Sequence, residues 1–207
     1  MKLIWKGKFD NEEQLSSGNL PDNAIKFKEP ETLAKVNLVA SLFIIPVIVI
    51  IGIAIYIKRK LGGNVGIFDM FNLWGILLAY LMIIPHEFLH AIAFPKDAEV
   101  EVWYSVKNMM AFVFSTSPTS KARFIFLSLL PNMIFGFIPL ILWIFIPEEF
   151  AIISKIVLSF ATFSLMMGIG DFLNVFNAAT QMPKNSITQL SGLHSYWYMS
   201  EDDKVNM

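Results

Sequence analysis

The 207-residue chain contains no cysteine. Disulfides, thiolate metal ligands and cysteine nucleophiles are therefore excluded, and any metal must be held by histidine, carboxylate, amide, carbonyl or water. Charge is scarce: 16% of residues are charged and the net charge is −1. That balance gives no basic surface for nucleic acid. Histidine occurs only three times. The opening residues, MKLIWKGKFDNEEQ, lack the apolar stretch of a secretory leader, so no cleaved leader is expected. Internal repeats and low-complexity tracts are absent.

What remains is apolar: 55% of the residues are hydrophobic, more than a soluble domain of this length carries. Four long runs, at 36–57, 72–94, 124–146 and 150–172, the last open to extension to 179, are each about the ~20 residues needed to cross a bilayer. The expected architecture is an all-α multi-pass membrane protein of about four transmembrane helices, with one small β-hairpin between the second and third. The hairpin is read from alternation at Val100, Val102, Tyr104 and Val106, a turn at Lys107-Asn108, and a second β-like run at 109–115. Three parts are expected: a cytosolic or interfacial segment at 1–35, a membrane-embedded domain at 36–180, and a C-terminal tail at 181–207. Lys and Arg near the span ends place both termini in the cytoplasm, against the opposing Lys58-Arg59-Lys60 cluster.

Ionisable groups inside such runs are costly and mark function. The set here is His86, Glu87, His90, Lys155 and Asp171. Lys155 lies near enough to an interface to extend to water and is assigned no chemistry. His86-Glu87-Phe88-Leu89-His90 is an H-E-x-x-H motif and uses two of the three histidines. On a helix, residues i and i+4 share a face, so both imidazoles can bind one tetrahedral Zn²⁺, with the adjacent Glu87 as general base on a zinc-bound water. Catalytic zinc sites commonly use three protein ligands. Asp171 is the other carboxylate within the apolar spans, and span parity puts it at the depth of the motif. His194, Glu99 and Glu101 are its rivals as third ligand. Gly168 and Gly170 beside Asp171 would permit a close backbone approach. Asn174, one turn on, is a candidate to support a ligand or a substrate carbonyl. Peptide-bond hydrolysis is the expected reaction. A transmembrane substrate must unwind first, because amides in lipid are locked in helix. The hairpin could then hold it as an added strand.

The motif in a membrane helix, the β-like stretch after it and a later Gly-x-Gly-Asp resemble the site-2-protease class of intramembrane zincins. Over most of its length, including the Lys/Trp-rich start and Leu130-Pro131, the chain resembles a family of small bacterial membrane proteins described as zincin peptidases. The resemblance implies His86, His90 and Asp171 as metal ligands and Glu87 as catalytic base. Gly170-Asp171-Phe172 has neither the preceding proline nor the following glycine usual around that ligand in site-2 proteases. The implied partners are a membrane-associated or transmembrane protein substrate and the lipid bilayer, with no nucleic acid. Four helices form a small enclosure, which leaves room for a homodimer. The competing expectation is a non-catalytic membrane protein, such as a partner subunit, sensor or transporter, using the same cluster as a structural metal site. A structural site would be closed by a fourth protein ligand.

Overall fold

The computed structural model describes residues 1–106 and 110–199; the turn expected at Lys107-Asn108 lies outside them. In chain order, β1 (Lys2–Lys8) and β2 (Ile25–Lys26) precede α1 (Leu33–Ser41) and α2 (Ile44–Lys60). Then come α3 (Leu73–Leu81), α4 (Ile83–Ala93), β3 (Glu99–Ser105), β4 (Met110–Phe114) and β5 (Thr119–Ser120). A helix follows in three parts: α5 (Lys121–Pro131), a π-helical stretch (Asn132–Phe137) and α6 (Ile138–Ile144). The chain ends with α7 (Ala151–Met167), α8 (Ile169–Gln181), β6 (Ile187–Ser191) and β7 (His194–Tyr198).

Four helical stretches, Leu33–Lys60, Leu73–Ala93, Lys121–Ile144 and Glu148–Met167, are long and apolar enough to cross a membrane. They coincide with the four apolar runs. Their outward surface carries Ile45, Ile53, Trp74, Ile84, Leu142 and Ile152, all exposed. Such a surface suits hydrocarbon, where an apolar side chain costs nothing to leave outside.

Proline punctuates the spans. Pro46 and Pro85 each sit in the first turn of a helix, α2 and α4, just after a break at Leu42-Phe43 or Met82. A proline ring lacks an N–H and clashes with the carbonyl four residues back, so it starts a helix more easily than it continues one. The motif thus begins a fresh helix, with the His86 N–H bonded to Met82 O at 2.8 Å. The last run is also divided: α7 stops at Gly168 and α8 restarts, which places Asp171 in the first turn of its own helix.

The all-α expectation is corrected by two sheets. The expected hairpin is present as β3 and β4, paired antiparallel from Glu101↔Phe114 to Ser105↔Met110. It belongs to a three-stranded sheet ordered β1-β3-β4, in which β1 runs parallel to β3. A second sheet is ordered β2-β7-β6-β5, so residues at both ends of the chain form strands. The pairing is non-local: Lys2 lies opposite Glu99, and Ile25 opposite Trp197. Local periodicity carries no such information, and no strand was expected within the segment at 1–35. The β6–β7 hairpin did have a local signal, a two-residue Gly192-Leu193 loop whose glycine takes φ +57°.

Buried residues between the helices form a core around Val47, Ile51, Leu140, Trp143, Leu158 and Leu165. Lys58, 2% exposed, lies at one end of this core and donates to the carbonyls of Trp143 (3.0 Å) and Ile146 (2.7 Å). It adds a donor to two carbonyls at the end of α6, where Trp143 O also accepts from Ile146 N–H at 3.1 Å. Arg59 likewise donates to Val65 O.

Candidate metal centre

His86 and His90 project from one face of α4, with ring centroids 4.9 Å apart. Their Nε2 atoms lie 3.2 Å apart. The carboxylate of Asp171, from the first turn of α8, straddles them: Oδ2 is 3.2 Å from His86 Nε2 and Oδ1 is 3.2 Å from His90 Nε2. Each imidazole Nε2 is thus 3.2 Å from the other and 3.2 Å from one of the two Asp171 oxygens. In a tetrahedral site with bonds of ~2.0–2.1 Å, neighbouring ligand atoms are separated by about 3.3 Å. These separations match the spacing of neighbouring ligand atoms around one zinc.

Two of these residues are held by a further contact. His90 Nδ1 donates to Leu127 O in α5 at 2.7 Å. A carbonyl only accepts, so Nδ1 carries the proton it donates, and Nε2 is the nitrogen turned toward His86 and Asp171. Asp171 Oδ2 accepts from Asn132 Nδ2 at 2.7 Å. Asn132 is 1% exposed and opens the π-helical stretch directly after Pro131. Its side chain lies against Gly168, where a Cβ would come within 1.9 Å of Asn132 Oδ1. Gly168 is thus the residue that must have no side chain; at Gly170 a Cβ would meet nothing within 4 Å. Neither Asn132 nor the Leu127 carbonyl was found from sequence. The available signal was an amide beside proline inside an apolar span, since π-bulges and polar groups at that depth tend to be functional.

Glu87 follows His86 and so leaves α4 about 100° further round the helix. It offers a carboxylate oxygen within 4.8 Å of donors on both histidines. His86, Glu87 and His90 alone already make a donor cluster. Asp171, however, meets both imidazole nitrogens at ligand spacing, whereas Glu87 Oε2 accepts from Val113 N–H of β4 at 2.9 Å. In the sheet, β4 is an edge strand, and Val113 presents its N–H on the side away from β3. The carboxylate beside the histidines therefore touches an unpaired strand edge.

The rival donors are engaged elsewhere. His194 Nε2 lies 3.1 Å from Glu31, and its Nδ1 lies 3.5 Å from Glu29. Glu99 pairs with Lys2 at 2.9 Å. Glu101 accepts from Ser16, Trp103 and Lys6. Lys155 pairs with Asp69 at 3.0 Å. Asn174 is exposed on α8 and, with Gly170 and Asp171, lines a cavity beside the histidines.

Two cavities meet at Glu87 and Met110. One, about 200 Å³, opens among the helices past Ala79, Met82, Phe135 and Met167. The other, about 330 Å³, lies below the sheets and reaches His90 and Asp171.

No curated protein and no solved structure matches the chain. A family model described as "Putative zincin peptidase" matches residues 79–187, a stretch that holds α4, the hairpin, the π-helical stretch and Asp171. The chain belongs to this family of zincin peptidases.

Proposed function

We propose that the protein is a membrane-embedded zinc metalloendopeptidase of the intramembrane type, with His86, His90 and Asp171 holding Zn²⁺ and Glu87 as general base. One observation carries the reading: three donors at zinc-ligand spacing beside a carboxylate that touches a free strand edge. Zinc held there supplies Lewis-acid polarisation of a substrate carbonyl and of water. Glu87 takes a proton from the attacking water as its oxygen bonds to the carbonyl carbon, then delivers that proton to the amine as the C–N bond breaks. The edge of β4 orients an extended substrate by main-chain hydrogen bonds. Asn174 and Gly170 line the wall where the substrate backbone would pass.

A structural metal site would need a fourth protein ligand. His194 and Glu101, which could otherwise supply it, are held in other ion pairs, which favours the catalytic reading. The substrate is a membrane-associated or transmembrane protein, since the motif helix is itself one of the four apolar stretches. Both termini are assigned to the cytoplasm. Lys58 and Arg59, which weigh against that orientation, are occupied in capping carbonyls. A homodimer is compatible with so small a bundle.

The test uses the full chain in liposomes, with zinc content and cleavage of membrane-anchored peptides as readouts. The wild type is expected to hold one zinc and to cleave, and Glu87→Gln to hold zinc without cleaving. Purified wild type without stoichiometric zinc, or cleavage that survives Glu87→Gln, would overturn the proposal.

A further inference from the structure

The larger cavity has a composition that the catalytic residues do not require. His90, Glu87 and Asp171 lie on one side of it. Its other walls are mostly apolar, built by residues such as Phe112 of β4, Phe124 and Leu127 of α5, and Leu173 of α8, with Glu29, Ser128, Asn174 and Ser195 as polar exceptions. It is closed over by Leu33 from the N-terminal segment and Leu193 from the β6–β7 loop. At about 330 Å³ it stands at the lower end of the ~300–1,000 Å³ usual for ligand pockets. That is room for a large side chain rather than for a folded peptide.

The roof is fastened. Gly192 N–H donates to Ser16 O at 3.0 Å, Phe27 N–H to Ser195 O at 2.9 Å, and Ser195 N–H to Glu29 Oε1 at 2.6 Å. The two chain ends are thereby stitched together above the cavity. Both roof leucines lie outside the family-matched stretch 79–187. Among the described residues, the titratable groups lining the cavity are Glu29, Glu87, His90 and Asp171, with no Lys or Arg.

We infer that this cavity is a specificity subsite for one large apolar substrate side chain, of the Leu, Met or Phe class, next to the bond that is cut, and that the chain ends set its size. The inference rests on the peptidase reading. Apolar walls reward large apolar groups by area removed from water. Among the described residues, no Lys or Arg lines the cavity to pair with an incoming Asp or Glu, and burying an unpaired charge against apolar walls is costly.

The experiment presents wild-type protein in liposomes with apolar peptides randomised where they reach the membrane surface, and reads cut positions by mass spectrometry. Cuts next to Leu, Met or Phe are expected at least ~10-fold more often than next to Ala, and almost none next to Asp, since a single methylene in such a pocket is worth ~10-fold or more. Leu33→Trp and Leu193→Trp each add bulk to the lining and are expected to bring the Leu/Ala preference near unity. Indifference in the wild type, or a preference kept by both folded variants, overturns the subsite while leaving the peptidase reading intact. If zinc-loaded wild type cuts nothing, the peptidase reading fails by itself. The subsite is then decided by cross-linking Glu87→Gln protein to peptides carrying benzoylphenylalanine. Adducts on Leu33, Phe124 or Leu193 support it, and adducts elsewhere or none overturn it.

Discussion

Gly168→Ala changes no ligand, yet is expected to weaken the metal site. The new Cβ would stand 1.9 Å from Asn132 Oδ1, whereas even a tight contact needs 3.0–3.4 Å. One of the two groups must retreat by more than 1 Å. Asn132 is 1% exposed and has no space to swing into. Its 2.7 Å bond to Asp171 would lengthen beyond hydrogen-bonding range, or α8 would shift and carry Asp171 with it. Either way the carboxylate loses the donor that orients it. Loss of such a partner costs ~10–100-fold in metal affinity, or about 1.4–2.8 kcal/mol. The assay is zinc competition against a chelating dye in detergent, with helix content checked by circular dichroism. Asn132→Ala should weaken zinc by a similar factor, and the double variant should be no worse than the weaker single one, because both remove one interaction. Gly170→Ala is the control: its Cβ meets nothing, so zinc affinity should hold, and the helix should gain up to ~1 kcal/mol. A folded Gly168→Ala protein with wild-type zinc affinity would refute the proposed role of Asn132.

Three further outcomes are expected. His86→Ala or His90→Ala should lose stoichiometric zinc, whereas Glu87→Gln should retain it, measured by elemental analysis of the purified protein; equal zinc in all three would dismiss the ligand assignment. Lys58→Met should lower stability by about 1–3 kcal/mol, since it removes the side-chain donor from the Ile146 carbonyl and one of the donors from Trp143; unfolding in detergent with wild-type stability would contradict this. Burial raises the Glu29 carboxyl above its ordinary value, opposed by the Ser195 N–H and by His194. Its contribution to stability is therefore full below about pH 4.5 and lost as pH rises through its folded value. Against Glu29→Gln, the wild-type melting temperature should fall as pH increases from 4.5 to 7, and a rise would reverse the assignment.

Much of the centre could be read from the chain because its chemistry is local. His86 and His90 are one helical turn apart, so their shared face follows from backbone geometry alone. The four long apolar stretches follow from composition and length. The hairpin after the motif follows from alternation at Val100, Val102 and Tyr104. Asp171 could be nominated because carboxylates are rare in apolar runs, though nothing local places it 3.2 Å from two imidazoles.

The rest depends on contacts between distant residues. That Asn132 braces Asp171 depends on packing α8 against the π-helical stretch, with Gly168 giving the space. That Glu87 touches β4 depends on how the hairpin folds back over α4. The strands at the chain ends exist through partners such as Glu99 for Lys2 and Trp197 for Ile25. By itself the sequence determined which side chains could do chemistry and which stretches are long and apolar enough to cross a membrane, because helical periodicity and hydrophobicity are properties of neighbours. Only the tertiary structure decided which donors converge, what holds them and which walls close the cavity, because hydrogen bonds and packing act between atoms in space whatever their distance along the chain.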